Sequence, residues 1–278
     1  MDHPGCRLSM CIWGMPLLSR AEGCAVARVL GFDGVDVGSI GASDEERRRI
    51  LESPREVGEE LGALVLPVAN FFYFFGSDLR VDRNLADPDS HAANLADLAQ
   101  VLVLCQAAEV RTLTLSPGIV NPGQTLEQAS EASASFLRRA VDLAVAAGIT
   151  VMIEPGVLSI AESPAAVEAL LARVPGLGLV LDYSHFICLG FTQGEIDVLL
   201  PFATHVHLRQ ARPGRLQERL ESWSGTINFR LLLSQLRARG YAGWLATEIG
   251  EALEERVDVV GETVRLRDLA RSYMAPGS

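Results

Sequence analysis

Short apolar runs alternate along this chain with longer stretches in which apolar residues recur every three to four positions. Runs of that kind, bounded by Gly, Pro, Asn, Asp and Ser, predict buried strands. They fall at residues 8–13, 34–37, 64–69, 112–115, 150–153, 178–181, 205–208 and 245–247. The 3.6-residue period predicts helices over 19–30, 44–61, 90–108, 126–147, 164–173, 196–200, 229–239 and 257–272. Within the fourth helix, Ala140, Val141, Leu143, Ala144 and Ala147 make an apolar face, and Gly148 predicts a left-handed stop. Arg237 and Arg239 ahead of Gly240 put cations at the negative end of another helix. Eight strand–helix alternations predict a parallel sheet with right-handed crossovers. Eight is also the number that closes a barrel, so the expected fold class is α/β, a single (β/α)8 TIM barrel over residues 1–278. An open doubly wound sheet is the alternative, weakened because Trp13-Gly14-Met15-Pro16 after the first strand does not fit GxGxxG.

Composition excludes several function classes. A hydrophobic fraction of 49% supplies a large core, but no apolar run approaches the ~20 residues of a membrane span. Met1-Asp2-His3-Pro4-Gly5 carries no secretory pattern, and five cysteines without CxxC spacing fit reduced thiols, so a cytoplasmic protein is expected. A net charge of −11 argues against a nucleic-acid partner. The chain contains no lysine, which rules out Schiff-base chemistry through a lysine amine, and no GxxxxGK[ST] phosphate loop.

The chemistry gathers at four consecutive strand ends. The strand at 150–153 runs into Glu154, and the one at 178–181 into Asp182. The next carries His205 and His207, and the last runs into Glu248. In a barrel these side chains meet at the C-terminal rim. Three carboxylates and one imidazole suit one divalent cation of intermediate hardness, with Mn²⁺ expected first and Mg²⁺, Co²⁺ or Zn²⁺ as alternatives. Without a cation the carboxylates would repel, and at least one should keep its proton. Each residue also has a structural reading. Glu154 could cap a helix or pair with an arginine, Asp182 could be the N-cap of a following helix, and Glu248 could be a solvated strand end. His205 and His207 lie two apart and face the interior together; His207 is nearer the rim, and His205 reads as a core histidine.

The motifs Gly31-Phe32-Asp33-Gly34-Val35-Asp36, Ile153-Glu154-Pro155, Leu181-Asp182-Tyr183-Ser184-His185, His205-Val206-His207 and Gly240-Tyr241-Ala242-Gly243-Trp244 resemble the xylose isomerase-like TIM-barrel superfamily, in its sugar epimerase and isomerase branch. The resemblance implies that Glu154, Asp182, His207 and Glu248 bind the metal and that His185 and Arg212 hold substrate oxygens. A solvated basic loop is the other reading of Arg212. It also implies a small carbohydrate-like substrate and a homo-oligomer. Glu154 and Glu248 would then be the base and acid of a proton abstraction beside a carbonyl, giving an isomerase or epimerase. A lyase of the same superfamily is the alternative: a dehydratase of a cyclic polyol ketone or of 3-dehydroshikimate, or a C–C or C-glycoside cleavage enzyme. A non-catalytic sugar-binding barrel is the third reading. The chain departs from the three-zinc endonuclease IV pattern, since residues 67–70 and 115–118 contain no histidine. It departs from simple epimerases in residues 216–224, a long loop that could be a lid. The aromatic run Phe71–Phe75 reads as a pocket wall, a dimer contact or core.

Overall fold

The computed structural model describes residues 6–76, 82–221, 224–250 and 257–274. The ends of the expected 1–278 domain, Met1–Gly5 included, and Ser222 and Trp223 of the 216–224 loop lie outside the described residues. Among the described residues ten strands form: β1 (Arg7–Cys11), β2 (Gly34–Gly38), β3 (Val68–Tyr73), β4 (Thr112–Leu115), β5 (Thr150–Ile153), β6 (Gly178–Asp182), β7 (Ala203–Leu208), β8 (Gln210–Arg212), β9 (Arg215–Glu218) and β10 (Trp244–Thr247). All but β8 and β9 close one parallel barrel in the order β1-β10-β7-β6-β5-β4-β3-β2. The expected (β/α)8 TIM barrel is therefore the fold.

The α-helices are α1 (Arg20–Val29), α2 (Asp44–Glu52), α3 (Pro54–Gly62), α4 (His91–Ala107), α5 (Leu126–Ala146), α6 (Pro164–Arg173), α7 (Tyr183–Cys188), α8 (Gln193–Ile196), α9 (Phe229–Ala238) and α10 (Val259–Met274). Their starts are written locally. Ser19–Glu22, Ser43–Glu46, Thr125–Gln128 and Thr192–Glu195 are reciprocal capping boxes, each satisfying orphan amides at a helix N-terminus. Asn228 caps α9 through its side-chain oxygen. The stop expected at Gly148 is present, with φ of 71° in the left-handed region that glycine enters without a Cβ clash.

Several elements differ from the sequence pattern: the helix expected over 196–200 is the end of α8 followed by a 3-10 helix over Asp197–Phe202, and α7 has no expected counterpart. The helix expected over 44–61 is two helices, because Pro54 cannot continue α2 and disfavours helical backbone at Ser53. The third strand is Val68–Tyr73 rather than 64–69: the apolar run Leu64-Val65-Leu66 is a connector, and the strand starts past Pro67 where branched and aromatic side chains begin. Most of the Phe71–Phe75 run is thus barrel strand. Tyr73 packs edge-on to Phe75, and Phe75 edge-on to Phe136 of α5, in the helix layer. Phe72 instead meets Trp13, on the barrel's interior side. The long loop after β7 begins as the hairpin β8–β9. Gln217 exchanges two hydrogen bonds with the Gly250 backbone (2.7 and 3.0 Å), and the Leu220 amide donates to Glu262. The hairpin is thereby tied to the end of β10 and to α10.

Candidate metal centre

Strand register brings the four ends together. Asp182 is the cross-strand partner of His207, and His207 is the partner of Ala246, two residues before Glu248. Glu154 and Glu248 each continue the ladder by one bond, donating their amides to Leu115 and Leu208. One donor atom from each of Glu154, Asp182, His207 and Glu248 lies within 4.8 Å of the others. Asp182 also has the helical role open to it in the sequence: its Oδ1 accepts from the Ser184 amide at 2.7 Å and caps α7.

Donor by donor, the cluster fits a divalent cation. His207 Nδ1 stands 2.7 Å from Glu154 Oε1 and 3.2 Å from Glu248 Oε2. All three atoms are buried, yet none has a hydrogen bond. Buried polar atoms are rarely left so. Atoms this close but misaligned for one another converge on a common point, which is what ligands of one ion do. The other oxygen of Glu248 is fixed by Trp13 Nε1, which donates at 3.2 Å.

The imidazole is braced from behind. Buried Asp36 accepts from Ser9 Oγ on Oδ1 (2.6 Å), while its Oδ2 lies 2.9 Å from His205 Nε2 and 3.7 Å from His207 Nε2. His205 therefore faces Asp36 inside the barrel, where its Nε2 and Asp36 Oδ2 are also buried without an aligned hydrogen bond. A carboxylate behind the imidazole sets Nδ1 toward the centre. Cys11 Sγ lies 4.0 Å from His207 Nε2, so Cys11, Asp36 and His207 form a second close group. Burial and the charges of Asp36, Glu248 and Glu154 push the Cys11 thiol well up, and a protonated thiol is a poor ligand.

Burial opposes ionisation of Glu248, but Arg209 and His207 outweigh it and hold its pKa below the usual range. Burial likewise opposes the His207 cation, and Glu154, Glu248 and Asp36 override it, so the imidazolium persists well above its ordinary range. Arg209 and His207 thus supply the neutralising charge.

Arg209, which sequence reasoning passed over, is buried beside the ligands, with Nη2 2.5 Å from Asp182 Oδ2 and 3.1 Å from Glu248 Oε2. Its signal was only position: two residues beyond His207, at a strand end. His185 sits alongside, its Nδ1 accepting from the Val157 amide at 3.3 Å and its Nε2 3.8 Å from Asp182 Oδ2. Arg212, the substrate arginine implied by resemblance, makes its contact within the hairpin, where Nε donates to Glu218 at 2.8 Å. A separate apolar groove of about 720 Å³ includes Val120, Leu126, Leu158 and Phe191 and holds none of these residues.

The family model for xylose isomerase-like TIM barrels matches residues 24–268. The chain belongs to that family. No curated protein matches it by sequence. Among solved structures, it is similar to 3-keto-D-glucoside 4-epimerase from E. coli in its apo form, with 16% identity, 95% of this chain and 99% of that one covered, and a TM-score of 0.72. The IolI protein with a bound zinc atom gives 14% identity, 97% and 99% coverage and a TM-score of 0.74. The probable 3-DHS dehydratase from Bacillus anthracis gives 15%, 94% and 98%, and 0.70. At such identities these likenesses speak for the fold. No helix among the described residues is long and apolar enough to cross a membrane.

Proposed function

We propose that the protein is a divalent-metal-dependent isomerase or epimerase of a sugar or sugar-like keto or polyol compound, acting by proton abstraction beside a carbonyl through an enediolate. The observation that carries this is the convergence of Glu154, Asp182, His207 and Glu248, with three buried donor atoms lacking any hydrogen bond. Glu154 Oε1, an Asp182 oxygen, His207 Nδ1 and Glu248 Oε2 would hold the ion, Mn²⁺ before Mg²⁺, Co²⁺ or Zn²⁺. A bound divalent cation supplies Lewis acidity that stabilises negative charge on substrate oxygens as the proton leaves.

The chain's own groups do the proton work. Glu154 and Glu248 enter from β5 and β10, which are separated by β6 and β7, so they face a substrate carbon from two sides. Glu154 turns Oε1 to His207, which leaves Oε2 to take the proton. Trp13 holds Glu248 Oε1 outside the ligand set, and a proton taken up there from solvent would be the one delivered to the opposite side. His185 would orient a substrate hydroxyl. Arg212 would reach substrate only from the hairpin. Trp13 and Phe72, 6.1 Å apart, with Phe74 stacked on Phe72 at 4.7 Å, offer an apolar face and favour a substrate less polar than a free sugar, such as a glycoside.

Protonation on the opposite face gives an epimer, and on the neighbouring carbon an isomer. Loss of a β-hydroxyl from the same intermediate gives the lyase outcome, and one structural neighbour is named as a probable dehydratase. Metal analysis of the purified protein beside a Glu154→Ala/Asp182→Ala double variant tests the centre: about one ion per chain, lost in the variant, is expected. Keto-sugars and keto-glycosides incubated in D₂O then test the reaction. Deuterium at the carbon beside the carbonyl without loss of water supports isomerase or epimerase chemistry, and a dehydrated product assigns the lyase. A Glu154→Gln protein that keeps both metal and full turnover removes Glu154 as the base.

A further inference from the structure

The guanidinium of Arg209 is seated by four neighbours. Its Nε donates to Ser184 Oγ at 3.0 Å, and Nη2 lies 2.5 Å from Asp182 Oδ2, 3.1 Å from Glu248 Oε2 and 3.3 Å from His185 Nε2. Two of those partners are carboxylates of the candidate ligand set, and Glu248 Oε2 is also one of the unbonded atoms turned toward His207. An arginine cannot shed its charge to relieve repulsion, as a lysine could. A divalent cation bound here would therefore share two carboxylates with a second, permanent cation in a buried setting, where like charges are poorly screened.

We propose that Arg209 is a built-in counter-ion of the metal centre, holding Asp182 and Glu248 in place in the metal-free protein and weakening the hold on a bound metal by competing for them. The proposal rests on the reading of Glu154, Asp182, His207 and Glu248 as a metal site. Its formal charges close. Three carboxylates carry −3, a divalent cation +2 and Arg209 +1, so the loaded centre is neutral rather than anionic. The neutrality comes with a loss of affinity. In return, the carboxylates stay converged when the ion is away instead of swinging apart to reach water.

The two effects have opposite signs in one variant, which makes them measurable. Arg209→Met keeps much of the side chain's bulk and removes the charge. Metal-free Arg209→Met should melt lower than the metal-free parent, while its Mn²⁺ or Zn²⁺ affinity, read by competition with a chelator, should rise about tenfold or more. Arg209→Gln, neutral but still able to bond Ser184, should shift in the same direction. Arg209→Lys, which can shed its proton when the ion binds, should fall between the parent and Arg209→Met. Equal or weaker metal binding in folded Arg209→Met and Arg209→Gln would overturn the proposal and leave Arg209 as a scaffold for the ligands. If the parent binds no metal, or the Glu154→Ala/Asp182→Ala variant binds as much, the metal-centre reading fails and this inference goes with it.

Discussion

Asp36 offers the sharpest test of how the barrel interior supports its rim. It is fully buried, with Ser9 Oγ on one oxygen and His205 and His207 on the other. Asp36→Asn keeps an acceptor for Ser9 but turns an amide toward His205 Nε2. A hydrogen bond to a charged group contributes about 1.5–3 kcal/mol. The His205 contact is not aligned as a hydrogen bond and Ser9 keeps its acceptor, so the net loss should be near the lower end, about 2 kcal/mol. For a protein of this size that lowers Tm by roughly 3–4 °C. Loss of the brace behind a metal-binding imidazole costs about 10–100-fold in affinity. Burial pushes the Asp36 pKa up, but His205 and His207 win and hold it below the usual carboxylate range. A depressed folded pKa contributes stability above the unfolded value that is lost as pH falls through the folded one. The Tm gap between parent and Asp36→Asn should therefore be full above about pH 4 and narrow in stronger acid. Thermal melts across pH and a chelator titration read both effects. A variant with parental Tm and metal affinity would refute the claim that Asp36 organises His207.

Metal uptake should release protons, because the His207 imidazolium must lose its proton to ligate; its raised pKa makes the cation's stabilisation full below about pH 6.5 and lost as pH rises through the folded value. Calorimetric titrations in buffers of different ionisation enthalpy at pH 7 should show about one proton released per ion, with affinity rising with pH, and zero release would remove His207 as a ligand. Gly14→Ala would put a Cβ 2.0 Å from the Ile249 carbonyl, next to Glu248. The contact is to backbone and not to a flexible side chain, so a loss of about 1–3 kcal/mol in thermal stability with weaker metal binding is expected, and an unchanged melt would contradict the close approach. The thiols should be inert: burial raises Cys105 to about 12 and also raises Cys24, and Cys11 lies well up beside the carboxylates. A thiol reagent at pH 8 should modify these three only on unfolding, and rapid labelling of folded protein would count against their burial.

Much of the barrel was written in patterns that act over a few residues. The strands at Thr112–Leu115 and Thr150–Ile153 and the helix Pro164–Arg173 have the bounds that apolar runs, Pro and Gly predict. The four strand ends were legible because a parallel barrel turns sequence order into neighbouring rim positions. What stayed hidden depends on distances along the chain that no local period spans. Arg209 reaches Asp182 across 27 positions, and Asp36 meets His205 only after two strands have been set on opposite sides of one interior. Helix α7 was missed although Asp182 was weighed as a cap, because six residues are too few to display a period. Pro54 ends α2 although the polar–apolar repeat runs on across it.

The His-Val-His element shows how depth, which sequence does not encode, divides two like residues. Both imidazoles point inward, with ring centroids 5.3 Å apart, and both face the Asp36 carboxylate. His205 lies one pleat deeper and commits Nε2 to Asp36. His207, level with Asp182, has its other nitrogen free to meet Glu154 and Glu248. A buried carboxylate below and three carboxylates around the rim would be untenable without compensating positive charge, since each ion buried unpaired costs several kcal/mol. His207 and Arg209 provide that charge in the metal-free protein, and a bound cation would take over the share of His207 by displacing its proton. The polar interior of this barrel, with Ser9, Asp36 and His205, thus lies directly beneath the candidate centre and shares its charge balance through His207.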